Sequence, residues 1–541
     1  MDDVTEVCRR FELLYSAAST ERSHCQEVAE YIFPDRADFT VRRVEGEKRQ
    51  TKVLDSTPNK ALSLLAAGLH GMATNPASRW FSLRLADDRY GEIETVRKYL
   101  SDVEETMFAE MHAPGSAITT HLHELYMDYA AFGTACMFIG STKTDRLLFQ
   151  SVFMGEAVFD EDENGIVDTL IRKVRPAMTV RQCITKWGDD CSEAVRKLYK
   201  EGKIDEKVEV LHAVFPRNTY DADKRDPGNM PFASLYIDLA AKHLMQSGGF
   251  EEFPFAVPRW SKASGERWGR SPGKQALPDA KMLQAMAEVV IKAAQKQVDP
   301  PLLVEDDGIV GPVRTVPGGL NFFRGNGGAR PAIQPLQTGG QVGLGLEMMQ
   351  DVRNRIMEAF FVDQLQFAGD ANMTATEVMQ RTEERMRLLG PILGRMEAEL
   401  LGPLITRVYG ILSRLGRFPE QPEELDGLDW TVEYVSPIAL AQRGQKVSRA
   451  LSALQVAGQI AAATGDPSIM ARVRGDKVLS WIFHETNADP DLLLTDDEAA
   501  QKEQMNSMAQ AMGPAAAAAD AFAKTGQGAK AMAEAAMVGV A

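Results

Sequence analysis

The hydrophobic period of this chain changes twice, and that change limits the folds open to it. From residue 1 to about 130, apolar residues recur at the three- and four-residue spacing of amphipathic helices. Val28, Ile32 and Phe33 close one such stretch, over 20–33, which stops at Pro34. The next is predicted to start with Thr57 as a hydroxyl N-cap and Pro58 at the first helical position, to carry Leu62, Leu65, Ala66 and Leu69 on one face, and to end near Gly71. Two more are expected over 93–111 and 118–131. From Phe132-Gly133 to about Arg259 the period shortens to that of strands. Residues 157–159 and 166–174 flank the acidic, Gly-containing segment DEDENG as a hairpin would, VEVLHAVFPR and FASLYIDL read as further strands, and one helix interrupts them near 178–187.

Beyond Pro278 the helical period returns. Over 278–298, Lys281, Gln284, Glu288, Lys292 and Gln295 form a polar stripe, with Met282, Leu283, Met286, Val290 and Ala293 on the reverse face. Over 344–361, Met349, Val352, Ile356 and Phe360 face one way and Glu347, Asp351, Asn354 and Glu358 the other. Between these helices lies a Gly/Pro-rich, strand-poor stretch. The loop DQLQFAGDANM at 363–373 leads to a capping box at Thr374 and Glu377. That box opens an apolar stripe running to Leu415, a helix of about 60 Å if straight. Gly390-Pro391 and Gly402-Pro403 should kink it. Ser436-Pro437 opens another helix, to about 464, and a further one is expected over 476–485. The fold class is therefore α+β, mainly helical, with its strands gathered in one section.

Lys and Arg number 60 against 76 Asp and Glu, giving a formal charge of −16. That balance excludes a nucleic-acid binder that works through a strongly basic surface. A hydrophobic fraction of 44% and a charged fraction of 25% exclude a wholly disordered chain. The start, Met1-Asp2-Asp3, lacks a secretory signature, and the best apolar run, at 282–294, is broken by Gln284, Glu288 and Lys292. Cys8, Cys25, Cys136, Cys183 and Cys191 are odd in number and form no C-x-x-C pair, as expected of reduced thiols in a cytosolic protein.

Motifs for chemistry fail one by one. The phosphate-loop pattern is approached at Gly273-Lys274, but its first position is Trp268 and its last Gln275. Asp160, Asp162, Asn164 and Gly165 copy half a calcium loop, yet the twelfth position is Ile171 where a bidentate Glu is needed. His121 and His123 stand two apart on a helix and point in different directions. No catalytic or metal-binding constellation and no cofactor site is read here.

Four blocks, in order, resemble the head-to-tail connector (portal) proteins of short-tailed, podovirus-type bacteriophages. They are LDSTPNKALSLLAAGLHGMATNPASRWFSL at 54–83; WGRSPGKQALPDAKMLQ leading to DPPLLVEDDG and PGGLNFF; MTATEVMQRTEERMRLLGPILGRMEAELLGPLITRVYGIL; and VEYVSPIALAQR. The resemblance spans about residues 20–500; the alanine-rich end matches nothing.

It implies a non-enzymatic virion protein at one capsid vertex, assembled in the host bacterial cytoplasm as a ring, usually of twelve subunits. Double-stranded DNA would pass through it. The terminase large subunit would dock on it during packaging and tail or adaptor proteins afterwards, with capsid and scaffolding proteins around it and no membrane. By the same resemblance, residues 1–262 are a wing whose β-rich part begins at about 132. Residues 263–298 and 341–362 are stem helices, 299–340 a clip, 363–373 a tunnel loop, 374–430 a kinked wing helix, 431–500 a crown and 501–541 a tail. The tunnel loop would present Asp363, Gln364, Leu365, Gln366, Phe367, Gly369, Asp370 and Asn372. The clip interface would use Asp306, Asp307, Arg314, Asn321, Phe322, Phe323 and Arg324. Lys281, Lys292, Lys296 and Arg355 are candidates for light DNA contacts, and equally for ion pairs between subunits.

Two physical arguments agree. Twelve helices at about 9–10 Å spacing enclose a bore near 25 Å once a helix diameter is subtracted, slightly wider than duplex DNA. Ala280, Ala285, Ala287, Ala293 and Ala294 would let the first stem helix pack closely, and a net-acidic assembly would not grip a sliding phosphate backbone. The competing readings are a DNA-packaging ATPase or nuclease, against which the missing phosphate loop weighs, and an internal scaffold or ejection protein, which would lack the central β-rich section.

Overall fold

The computed structural model describes residues 4–482, except 86–92, 305–332, 336–341, 366–389, 426–429, 435–446 and some shorter stretches. Helices α1 (Val4–Ala17), α2 (Ser19–Tyr31) and α3 (Thr57–Ala73) come first, then strand β1 (Phe81–Leu85) and helices α4 (Glu94–Met111) and α5 (Ile118–Phe132). Thr57 does not cap α3. The carboxylate of Asp55 does, accepting from the Thr57 N–H at 2.9 Å and the Thr57 hydroxyl at 2.6 Å. A Ser/Thr-Pro pair marks a helix start, but an Asp two residues ahead offers the stronger acceptor.

The strand section is as its period requires. β2 (Met137–Ser141), β3 (Leu147–Ser151), β4 (Ala157–Glu161), β5 (Val167–Lys173), β6 (Met178–Thr179), β7 (Lys207–Val208), β8 (Val210–Pro216), β9 (Phe232–Asp238), β10 (His243–Phe250) and β11 (Phe255–Ala256) are ordered into sheets β10-β9-β8-β5-β4, β11-β2-β3 and β6-β7. Their pairings are antiparallel. The DEDENG segment is the β4–β5 hairpin, with Asp162 Oδ1 accepting from the N–H groups of Asn164 (2.9 Å) and Ile166 (2.8 Å). One face of the five-stranded sheet packs Ile171, Leu211, Ala213, Leu235 and Ile237 on Val7, Cys8 and Phe11 of α1. The other packs Phe159, Leu170 and Val214 on Phe138, Phe255 and Val257. Helix α6 (Val180–Trp187) is as expected; α7 (Glu193–Lys200), capped by Ser192, is additional. The five thiols are free and buried.

Helix α8 (Pro272–Val298) starts six residues earlier than its apolar pattern. Ser271 is its N-cap, accepting from the Lys274 N–H at 3.0 Å while donating to the Ala131 carbonyl at 2.8 Å. Pro278 then lies inside the helix. The glycine of the near-miss phosphate motif has a packing role: a Cβ on Gly273 would stand 2.4 Å from the Ala131 carbonyl oxygen. Lys274 is held by the Glu21 carboxylate and the Gly269 carbonyl.

Two strands do occur in the Gly/Pro-rich stretch: β12 (Leu302–Val304) pairs antiparallel with β13 (Ile333–Pro335). Then come α9 (Val342–Ala359), the single turn α10 (Val362–Leu365) and, after the undescribed 366–389, helix that widens into a π-helical turn, Glu397–Leu401, before α11 (Gly402–Arg414). The irregularity sits where Pro403 withholds an amide donor. The Thr374/Glu377 box, the Gly390-Pro391 kink's leading side and the tail 501–541 lie outside the described residues. Arg259, 2% exposed, binds this turn to the β-hairpin. Its guanidinium and backbone N–H both donate to Glu399, at 2.8 Å each, and it also meets Glu161 and the Gly165 carbonyl.

The chain forms two compact units, Met1–Ser82 with Val103–Pro419 and Val432–Ser436, and Leu83–Asp102 with Glu420–Thr431 and Pro437–Ala541. Among the described residues of the second, Leu85, Val96 and Leu425 make a small core joined by Ile93, Tyr99 and Leu100. No described helix is long and apolar enough to cross a membrane.

The helical and strand sections join where Gly133, at φ +80°, meets Gly269; a Cβ on Gly269 would lie 2.0 Å from the Gly133 carbonyl oxygen. Gly269→Ala should therefore cost about 2 kcal/mol or more, whereas Gly71→Ala, in open space on α3, should be neutral or stabilise by roughly 0.5–1 kcal/mol. Denaturant midpoints of the two variants check this; equal midpoints would refute the close-packing account.

Candidate functional site

Helices α8 and α9, about 40 and 27 Å long, form an antiparallel pair. Arg355 lies 3.7 Å from Asp279 at one point, and Gly345 meets Val290 farther along, where an added Cβ would be 2.8 Å from a valine methyl. Strands β12 and β13 continue the pair as a short ribbon.

The buried face of α8 is rotated from its apolar stripe. It consists of Ala276, Leu277, Ala280, Leu283, Gln284 and Ala287, while Met282 is exposed. Small residues let α8 sit close against α2, α3, α5 and α9, so Ala280 and Ala287 serve packing within the subunit. Gln284, expected on the polar side, is buried because the backbone ahead of α3 satisfies it. Its Oε1 accepts from the N–H groups of Leu54 (2.7 Å) and Asp55 (2.8 Å), and its Nε2 donates to the Asp55 carbonyl (2.8 Å). On α9 the expected face, Met349, Val352, Ile356 and Phe360, is buried and the acidic face is exposed.

Arg353 of α9 reaches the same residue, its guanidinium 2.8 Å from the Asp55 carboxylate. One side chain from each channel helix thus meets on Asp55. Burial alone would raise the Asp55 carboxyl, but the Thr57 hydrogen bonds and the Arg353 charge outweigh it and hold its pKa below the usual value. Sequence reasoning missed Asp55 and Arg353 as site residues and misplaced Gln284. The available signal was an acidic residue two positions before Thr-Pro; the long-range pairing had none.

The candidate contact residues are placed as follows. Lys281 pairs with Glu27, Lys292 with Glu288 at 2.5 Å, and Arg355 with Asp279 and Asp351, each within the subunit; Lys296 is exposed in the last turn of α8. Asp363 is exposed in the turn α10, which also contains Gln364 and Leu365. Gln366, Phe367, Gly369, Asp370 and Asn372 lie outside the described residues, as do Asp306, Asp307, Arg314, Asn321, Phe322, Phe323 and Arg324. Large apolar side chains stand exposed on both helices: Val289 (65%), Ile291 and Val298 on α8, Leu344, Leu346 and Met348 on α9. Among the described residues no cluster of His, Cys, Asp or Glu could hold a metal ion.

The described residues thus place a long antiparallel helix pair on a helical base beside a β-module. The family comparison is decisive: residues 4–494 match the model for bacteriophage head to tail connecting proteins, and the chain belongs to that family. It is 33% identical over 493 residues to the "Probable portal protein" of Bordetella phage BPP-1, covering 88% of this chain and 86% of that one. It is 28% identical over 529 residues to the "Portal protein" of Salmonella phage epsilon15, covering 95% and 92%. A chain from the solved "Virion of native gene transfer agent (GTA) particle" aligns over 79% of this chain and 95% of its own, with TM-score 0.38 and 12% identity.

A depressed carboxyl contributes stability that is present above its unfolded pKa, near 4, and is lost as pH falls through the lower folded value. Asp55→Asn should therefore melt below wild type at pH 7, with the gap closing below about pH 4. Melting by circular dichroism at pH 7 and pH 3 tests it; a gap that stays constant would show that Asp55 does not act through its charge.

Proposed function

We propose that this chain is the portal protein of a bacteriophage: a structural ring at one capsid vertex that passes double-stranded DNA inward during packaging and outward during ejection, and serves as the docking platform for the packaging motor and then the tail. The observation that carries this reading is membership of the head-to-tail connecting family over nearly the whole chain. The helix pair supports it. Each helix already buries one face inside the subunit, yet keeps large apolar residues on another, which a neighbouring copy in a closed ring would cover.

In this reading α8 and α9 are the stem, 299–340 the clip facing motor and tail, 363–373 the tunnel loop and 431–500 the crown, in a ring of twelve. Phosphates meet a surface on which most basic side chains are already engaged: Lys281, Lys292 and Arg355 sit in ion pairs. Lys296 and, more weakly, these three supply light contacts to a sliding duplex. A subunit charge of −16 opposes the counterion-release grip that would stall it. The tunnel loop, following the helical turn at 362–365, acts as a valve that admits DNA and resists its return.

Replacing both Val289 and Ile291 by Asp should leave the circular dichroism of the subunit unchanged but yield 59.5 kDa monomers in sedimentation; rings of wild-type yield would exclude this face from the interface. Replacing Leu365 and Phe367 by Gly should leave rings intact, in electron micrographs, and shorten the DNA retained after packaging. Full-length genomes at wild-type frequency in those particles would remove the valve from the proposal while leaving the portal reading standing.

A further inference from the structure

Across the five-stranded sheet one row of paired positions is polar and aromatic: Arg172 on β5 opposite His212 on β8, His212 opposite Tyr236 on β9, and Tyr236 opposite Gln246 on β10. Arg172 rests against a pair of phenylalanines, its guanidinium carbon 5.0 Å from the Phe138 ring centre and 5.3 Å from that of Phe255. Among the described residues it has no hydrogen bond or ion pair, and its Nε is enclosed without an acceptor. The ionisable groups close enough to act on it are the Cys136 thiol and the Tyr236 hydroxyl, neither of them a carboxylate.

His212 is fully buried and stacked on Tyr236, ring centres 4.3 Å apart and planes within 4°. Its Nε2 is 3.1 Å from the Ser234 hydroxyl, and its Nδ1 has no partner. Burial, then the charges of Arg172 and Lys186, keep the ring neutral. Lys186 adds a second positive charge, its ammonium 4.2 Å from the Tyr236 ring centre.

The charges that act on the His212 ring are the positive ones of Arg172 and Lys186. A guanidinium does not lose its proton, and seating one among aromatic rings without an anion is costly. The same low-dielectric walls strengthen the attraction for an anion that does enter. Arg172 and Tyr236 are both partly exposed, so the row can be reached from solvent. We propose that the Arg172 end of this row is a binding site for one oxyanion group, a phosphate or a carboxylate, gripped by the Arg172 fork. The group comes either from solution or from an acidic side chain of the neighbouring copy.

The test measures melting temperature against inorganic phosphate, at ionic strength held constant with sodium chloride, for unassembled subunits and for rings. Wild-type subunits should melt roughly 2–4 °C higher in saturating phosphate. Arg172→Met, which keeps the stem against the phenylalanines, should lose that rise. Arg172→Lys, which keeps the charge but not the fork, should need several-fold more phosphate, and carries the test if the Met variant does not fold. A rise in rings as well as subunits identifies a free anion; a rise in subunits alone identifies a carboxylate supplied across the ring. No rise in either state, or an equal rise in wild type and the Arg172 variants, would overturn the site.

Discussion

The seating of α8 and α9 depends on one residue placed ahead of the third helix. Asp55 caps α3 through Thr57, accepts Arg353 from α9, and offers its backbone N–H and C=O to Gln284 of α8. These contacts are part-buried, so removing one partner leaves the others only partly reached by water. Two helices separated by more than forty residues are thereby held to a common reference. The Arg353–Asp55 contact is charge-assisted, which adds strength and directional specificity to the apolar packing of the pair.

A second clamp ties the β-module to the helix that follows the tunnel segment. Arg259 holds Glu399 in the π-helical turn with one hand and the β4–β5 hairpin with the other. Farther along, Arg407 and Arg414 of α11 converge on Glu252 beside β11. A π-helical turn stores one extra residue within an otherwise continuous helix.

Charge and apolar surface divide the remaining tasks. The subunit is acidic overall, and its channel-helix cations are largely neutralised by neighbours on the same chain. Exposed valine, isoleucine, leucine and methionine on the same helices supply what charge cannot, a reason for copies to associate.

The two changes of hydrophobic period, the hairpin at DEDENG and the buried face of α9 were legible in the sequence, because each depends on neighbours within a turn or a ribbon. Four ordered blocks were enough to indicate the family. The role of Gly273-Lys274 was not legible: a motif lacking both the opening glycine and the closing hydroxyl of a phosphate loop turned out to be a close crossing over Ala131, which only the approach of two distant segments defines. The same holds for Gln284, polar by pattern and buried in fact, and for Arg172, whose solitude depends on strands and aromatic rings brought together from five parts of the chain. Periodicity reports which face of an element seeks a core. Which polar group that core accepts is decided by the partners that tertiary structure delivers, since a buried amide or guanidinium costs free energy in proportion to the bonds it lacks.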